Sequence, residues 1–137
     1  MMILNDKIRQ EIVELLSKNI QDVKYFHNGR KAFTDLEQEL PAIAVFIDEV
    51  YQDDYTVCED ENDAFVKIGI YLPLGATEGQ LDVIAEQITS VMRDATFKNL
   101  DECEIKRYTY DYDPTESAWI TSTLHYQVKF YSYKGDE

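Results

Sequence analysis

ELPAIAVFIDEV, spanning Glu39 to Val50, is the stretch whose reading decides the fold. Six apolar residues, Ala42 to Ile47, stand between Pro41 and the acidic pair Asp48 and Glu49, too few to make a helix of their own. They predict a buried central strand. Alternation places Ile43, Val45 and Ile47 on one face of a sheet and Ala42, Ala44 and Phe46 on the other, where the small alanines leave room for something bulky. Past Ile47 the strand is expected to run on through Val50 and Tyr51 towards Tyr55 and Val57 with a polar, alternating character, as a sheet does beyond its cover.

Its partner comes next in the chain. Val66, Ile68, Ile70 and Leu72 alternate with Phe65, Lys67, Gly69 and Tyr71 in a half-buried strand that stops at Pro73, so the two make a long hairpin. The connection between them is acidic. Asp48 to Asp63 holds eight carboxylates in 16 residues without the DxDxDG order of a calcium loop. A solvated loop is the ordinary reading, and a weak divalent-cation site or a face for a basic partner is the other.

Outward from the hairpin, helical and extended periods are both visible. Ile8, Ile12, Leu15, Leu16 and Ile20 recur at helical spacing, predicting an amphipathic helix from Asn5, read as its N-cap, to about Asn19. Val23 to Phe26 is a short strand candidate, Asn28-Gly29 a turn, and Ala32-Phe33-Thr34 a loop or short strand. Thr77-Glu78-Gly79-Gln80 fits a capping box, and Leu81, Ile84, Ala85, Ile88, Val91, Met92 and Ala95 follow as one helical stripe. Two strands close the chain, Glu104 to Tyr112 and Trp119 to Tyr131, joined by a turn at Asp113 to Glu116. Lys134 to Glu137 is expected to be a frayed tail. The order α-β-β-β-α-β-β predicts an α+β fold, a mainly antiparallel or mixed sheet with two amphipathic helices on one face, and residues 1–137 as a single domain.

Composition narrows the function classes. A hydrophobic content of 45% is globular, and the longest apolar run is far below the roughly 20 residues that cross a bilayer, so a soluble chain with no membrane partner and no export signal is expected. Cys58 and Cys103 lack metal-ligand spacing and read as reduced thiols. The net charge of −14 opposes binding to a nucleic-acid backbone unless cations are locally concentrated, and no basic cluster is visible along the chain.

Chemistry-bearing motifs are sparse. Asp101, Glu104 and Lys106 imitate the metal-holding pattern of some nucleases, which makes a small metal-dependent nuclease the alternative from another class, but the solvated face of a strand explains the same charges. His27 falls in a turn and His125 on the polar face of the last strand, a surface or interface position. No serine has a nucleophile-elbow setting, and five glycines supply no phosphate-cradling loop. No enzyme, catalytic residue or metal ligand is expected. Tyr108, Tyr110 and Tyr112 share a strand face and are read as packed under a helix or against a neighbouring subunit.

Several blocks in order carry a family resemblance: Tyr25-Phe26-x-Asn28-Gly29-Arg30, Leu40-Pro41-Ala42-Ile43-Ala44-Val45, Ile70-Tyr71-Leu72-Pro73 ahead of a capped helix, Tyr110-Asp111-Tyr112, Trp119, and Leu124-x-Tyr126-x-Val128. From about Ile8 to Tyr133 the chain resembles the minor tail protein U family, the tail terminators of long, non-contractile-tailed phages. The resemblance implies a structural protein of the virion tail, assembled in the host cytoplasm. It would form a homohexameric ring on the tube of major tail protein, stop tube polymerisation and receive a head-joining protein. It implies no cofactor; weak binding of a divalent cation such as Mg2+ would aid assembly by screening the charge. Candidate interface residues are Asn28, Gly29, Arg30, Asp53, Asp54, Asp60, Glu61 and Trp119, with the four carboxylates facing a neighbour or the lumen. An unrelated interaction module is the remaining alternative.

Overall fold

The apolar stripe of the first helix begins one turn earlier than expected, because Leu4 joins Ile8, Ile12 and Leu16 against the core. Helix α1 accordingly runs from Met2 to Asn19, and Asn5 lies inside it instead of capping it. The buried Oδ1 of Asn5 has no hydrogen-bond partner among the described residues. This computed structural model describes residues 2–30, 39–73, 75–112 and 119–134, with Met2, Tyr112 and Trp119 described by their backbone alone. The expected loop or short strand at Ala32 to Thr34 and the turn at Asp113 to Glu116 lie outside the described residues.

After α1 come β1 (Tyr25–Asn28), β2 (Ala42–Asp54), β3 (Glu59–Pro73), α2 (Glu78–Asp94), β4 (Glu102–Tyr112) and β5 (Trp119–Tyr133). They form an α+β fold with one mixed sheet in the order β1-β2-β3-β5-β4. Only the β1–β2 pair is parallel; the others are antiparallel. β1 sits two residues later than the sequence reading, ending at Asn28, and Gly29 takes φ +103° while its N–H donates to Val45 O at 2.7 Å. A residue with a side chain would be strained there.

Both helices cover the face that carries Ile43 and Val45. Ile12 and Leu16 of α1 and Ile84 and Ile88 of α2 bury against Ile43, Val45, Ile68, Ile70, Leu124 and Val128 in one cluster. Each fully buried side chain of this size contributes about 1.5–3 kcal/mol. α2 starts as its sequence predicts: Thr77 Oγ1 accepts the Gln80 N–H at 3.2 Å, and Gln80 Oε1 accepts the Thr77 N–H at 2.8 Å. Two further contacts clamp the helices together. Glu11 of α1 accepts the N–H groups of Lys98 and Asn99 at 2.6 and 3.1 Å, and Gln87 Nε2 donates to Asp22 at 3.1 Å.

On the uncovered face Ala42 and Ala44 are fully buried, and the ring of Tyr71 lies over Gly69, so that a Cβ there would come within 2.9 Å of the tyrosine oxygen. The bulky group that the alanine pattern anticipated therefore belongs to the neighbouring strand.

The acidic stretch is where the structure departs furthest from the sequence reading. The central strand does run on past Ile47, to Asp54, but Glu59 to Asp63, expected as part of a connection, is strand as well. β2 and β3 stay paired from Val50↔Ala64 to Asp54↔Asp60 beyond a bulge, leaving Tyr55 to Cys58 as the connection. β5 runs alongside from Glu59↔Tyr133 onwards, so that even carboxylate-rich β3 lies between two partners. Backbone pairing on both sides overrides the poor strand propensity of Asp and Glu. Nor is Lys134 frayed: its N–H donates to Cys58 O at 2.8 Å.

Candidate assembly surface

Strand register, which no single segment reveals, builds the open face. Phe46, Lys67, His125 and Arg107 are direct cross-strand partners and form one row across β2, β3, β5 and β4. The β4 bulge between Ile105 and Arg107 adds Lys106 beside them. The expectation of no basic cluster is thereby corrected: Lys67 and Arg107, far apart in the chain, flank His125 in one row. Lys67, Lys106, Arg107 and His125 line a concavity of about 650 Å³ together with Phe65 and Gln127, with Asp48 and Glu49 at its rim.

Its charges are unequally satisfied. Asp48 takes both Lys67 and Arg30, one on each oxygen, and the Arg30 guanidinium lies 4.9 Å from the centre of the Phe46 ring. Lys106 pairs with Glu104 at 3.3 Å. Arg107 has no carboxylate partner among the described residues. His125 Nε2 lies 3.1 Å from Thr109 Oγ1, and burial, then Arg107 and Lys67, hold its pKa below the ordinary histidine value. The imidazole is therefore neutral at pH 7 and leaves the cationic work to its neighbours.

Beyond the concavity the hairpin end turns acidic on both faces of the sheet, Asp53 and Glu61 continuing the open face and Asp54 and Asp60 the opposite one. Asp53 stands opposite Glu61, and Asp54 opposite Asp60, pairings that repel unless neutralised. Two lysines neutralise most of them. Lys129 reaches Glu61 at 3.0 Å and Glu102 at 3.7 Å, and Lys134 reaches Asp54 at 2.7 Å and Asp60 at 3.6 Å. Asp53 has no ion-pair partner among the described residues. The hairpin end is also apolar: Tyr51 is 60% exposed, Tyr55 57%, Val57 92% and Tyr133 65%. Thr56 Oγ1 shapes the turn by accepting the N–H groups of Cys58 and Glu59 at 3.2 and 2.9 Å.

The residues singled out from sequence fall into three places. Asn28 is turned to α1, accepting from Arg9 Nε at 2.7 Å and donating to Asp6 at 3.0 Å and Gln10 at 3.2 Å, while Gly29 completes the turn and Arg30 borders the concavity. Asp53, Asp54, Asp60 and Glu61 share the hairpin end. Trp119 opens β5 opposite Pro73, at the other end of the sheet. Not foreseen as one cationic cluster were Lys67, Lys106 and Arg107; their alternation marks polar strand faces, but only lateral register joins them.

The nuclease-like trio is dispersed. Asp101 precedes β4, its N–H donating to Lys129 O at 2.8 Å, while Glu104 and Lys106 pair with each other. Among the described residues no group of three His, Cys, Asp or Glu side chains is placed to hold a metal ion. Tyr108 and Tyr110 pack edge to face and both donate to Asp82 of α2, which supports the packed reading of that tyrosine face.

Comparison with known proteins gives a match to the family model described as phage minor tail protein U over residues 3–130. No individually curated protein matches. Among solved structures, a chain of the virion of a native gene transfer agent particle is similar over 88% of this chain and 84% of its own, at 8% identity and a TM-score of 0.48.

Proposed function

This chain belongs to the phage minor tail protein U family and is a structural component of the phage tail, and from that premise we propose that it acts as the tail terminator. A homohexamer of the single domain closes the end of the tail tube during assembly in the host cytoplasm. One side of the ring binds the last layer of major tail protein, and the other receives the head-joining protein. Such a cap stops polymerisation by geometry, since its far side does not repeat the surface on which it sits.

The observation that carries this reading is the hairpin end. Tyr51, Tyr55, Val57 and Tyr133 are large apolar side chains left in water at one extremity, on strands that outrun their helical cover. Exposed aromatic clusters of that kind mark protein interfaces. A net charge of −14 on each copy makes approach costly at low ionic strength. Magnesium promotes the ring by screening this repulsion, without a dedicated site. Electron microscopy of tails assembled with and without the protein is the test: tails of uncontrolled length in its absence are expected, and normal length without it overturns the terminator reading.

A further inference from the structure

The hairpin end and the concavity have opposite chemistry on one face of one chain, and we infer that each is the other's partner in an adjacent copy. The β2–β3 tip of one subunit, led by Asp53, Tyr55 and Val57, seats in the concavity floored by Phe65, Lys67, His125 and Arg107 of the next. This deepens the ring reading and rests on it.

Charge gives the first argument. In a chain of net charge −14, Arg107 has no carboxylate partner among the described residues and lies beside Lys67 and Lys106, while Asp53 at the tip has no cation among those residues. Each is the natural counter-ion of the other. Apolar surface gives the second: Val57 and Tyr55 are 92% and 57% exposed at the tip, and Phe65, 38% exposed, is open in the concavity. Burial of Val57 and Tyr55 against Phe65 supplies the non-directional attraction that the charges then orient.

Distance shows that the occupant is a second copy. β3 is continuous from the Asp53↔Glu61 row to the row of Lys67, and six residues of strand separate the two by about 20 Å. The tip is fixed in the sheet by pairing to β2 on one side and β5 on the other, so it cannot fold back on its own concavity. A contact between two different patches is heterologous, and each copy that receives a tip offers its own onward. Repetition of one such contact gives a ring if the rotation closes. The same concavity is a poorer match for a nucleic-acid backbone, because Asp48 and Glu49 stand at its rim and the whole chain repels phosphate.

The exposed thiol of Cys58 at the tip gives a direct test, because Cys103 is partly buried. Full-length protein carrying Gln127→Cys in the concavity is oxidised under assembling conditions and run on denaturing, non-reducing gels. A ladder beyond dimer is expected, with wild type stopping at dimer and Cys58→Ser abolishing the ladder. In parallel, Arg107→Glu and Asp53→Arg should each lower the assembled fraction about tenfold by light scattering, and the double variant should restore it. Hexamers that form without a ladder and ignore both charge changes overturn this contact and leave the ring reading standing. Protein that stays monomeric on tube ends overturns both. Loss of binding to a fluorescent DNA duplex in Arg107→Glu, with assembly unchanged, overturns the contact in favour of a nucleic-acid surface.

Discussion

The two ends of the β2–β3 hairpin have the same backbone pairing and opposite surroundings. At the base, Ile43, Val45, Ile68 and Ile70 are fully buried under both helices. At the tip the ladder continues beyond a bulge, yet its side chains are Asp53, Asp54, Asp60 and Glu61, the last three paired with Lys129 or Lys134 at the surface. Hydrogen-bonded pairing alone therefore does not divide the stable part of this sheet from the part left for contact. Cover does: apolar burial stabilises the base, whereas exposed ion pairs contribute at most about 1 kcal/mol each.

The sharpest contrast between the ends lies in their cysteines. Cys58 is exposed in the tip turn, whereas Cys103 stands opposite Val128 near the core, and burial pushes its thiol up to about 12. Since the thiolate is the reacting species, an alkylating reagent at pH 8 should modify Cys58 promptly and Cys103 at least about a hundredfold more slowly until the protein unfolds. Mass spectrometry of the time course decides it; equal rates would mean that the base opens as readily as the tip.

Stability should divide in the same way. Ile68→Ala removes a fully buried side chain and should cost about 2–5 kcal/mol in urea unfolding, while Val57→Ala at the tip should stay within about 0.5 kcal/mol. A comparable loss at both positions would break the division by cover. Asn62 marks the boundary between the two regimes. It is fully buried and donates to Phe130 O at 3.2 Å and Ser132 Oγ at 3.0 Å, so Asn62→Ala should cost about 1–3 kcal/mol by leaving those acceptors unpaired.

That boundary also separates what the sequence could say from what it could not. Periodicity along single segments located both helices, the capping box at Thr77 and the alternating core of β2, β3 and β5, because each signal is written within one element. The acidic start of β3 reads as connection, since Asp and Glu disfavour strands and nothing local announces that β5 will pair along β3 and bring Lys129 and Lys134 to its carboxylates. The row of Lys67, His125 and Arg107 was hidden for a related reason. Its members sit on three strands, and a register shift of one residue would send each to the opposite face. Asn5 shows the reverse fault: a good cap residue was outweighed by Leu4, whose packing extends the helix past it.

The smallest expected effect tests the tip alone, and its sign follows from Asp54 and Lys134. The hydrogen bond and charge of Lys134 hold the Asp54 carboxyl below its ordinary 3.8, and Asp54 in turn raises the Lys134 ammonium above its ordinary 10.5. A depressed carboxylate stabilises the fold above its unfolded value and loses that contribution as pH falls through its folded value; a raised ammonium stabilises below its unfolded value and loses it as pH rises through the folded one. The pair thus supports the tip between about pH 4 and pH 10.5 and fades at both ends. Both groups are solvent-exposed, so the contribution is small. Urea midpoints for wild type and Lys134→Met should differ slightly and evenly across that window and converge in acid below the folded value of Asp54. The acid convergence is the informative limb, because Asp54 loses the hydrogen bond that lowers its carboxyl when Lys134 is replaced. A difference that persists unchanged at low pH would mean that Lys134 acts through its stem and its N–H bond to Cys58, and that the tip is held by packing, as the base is.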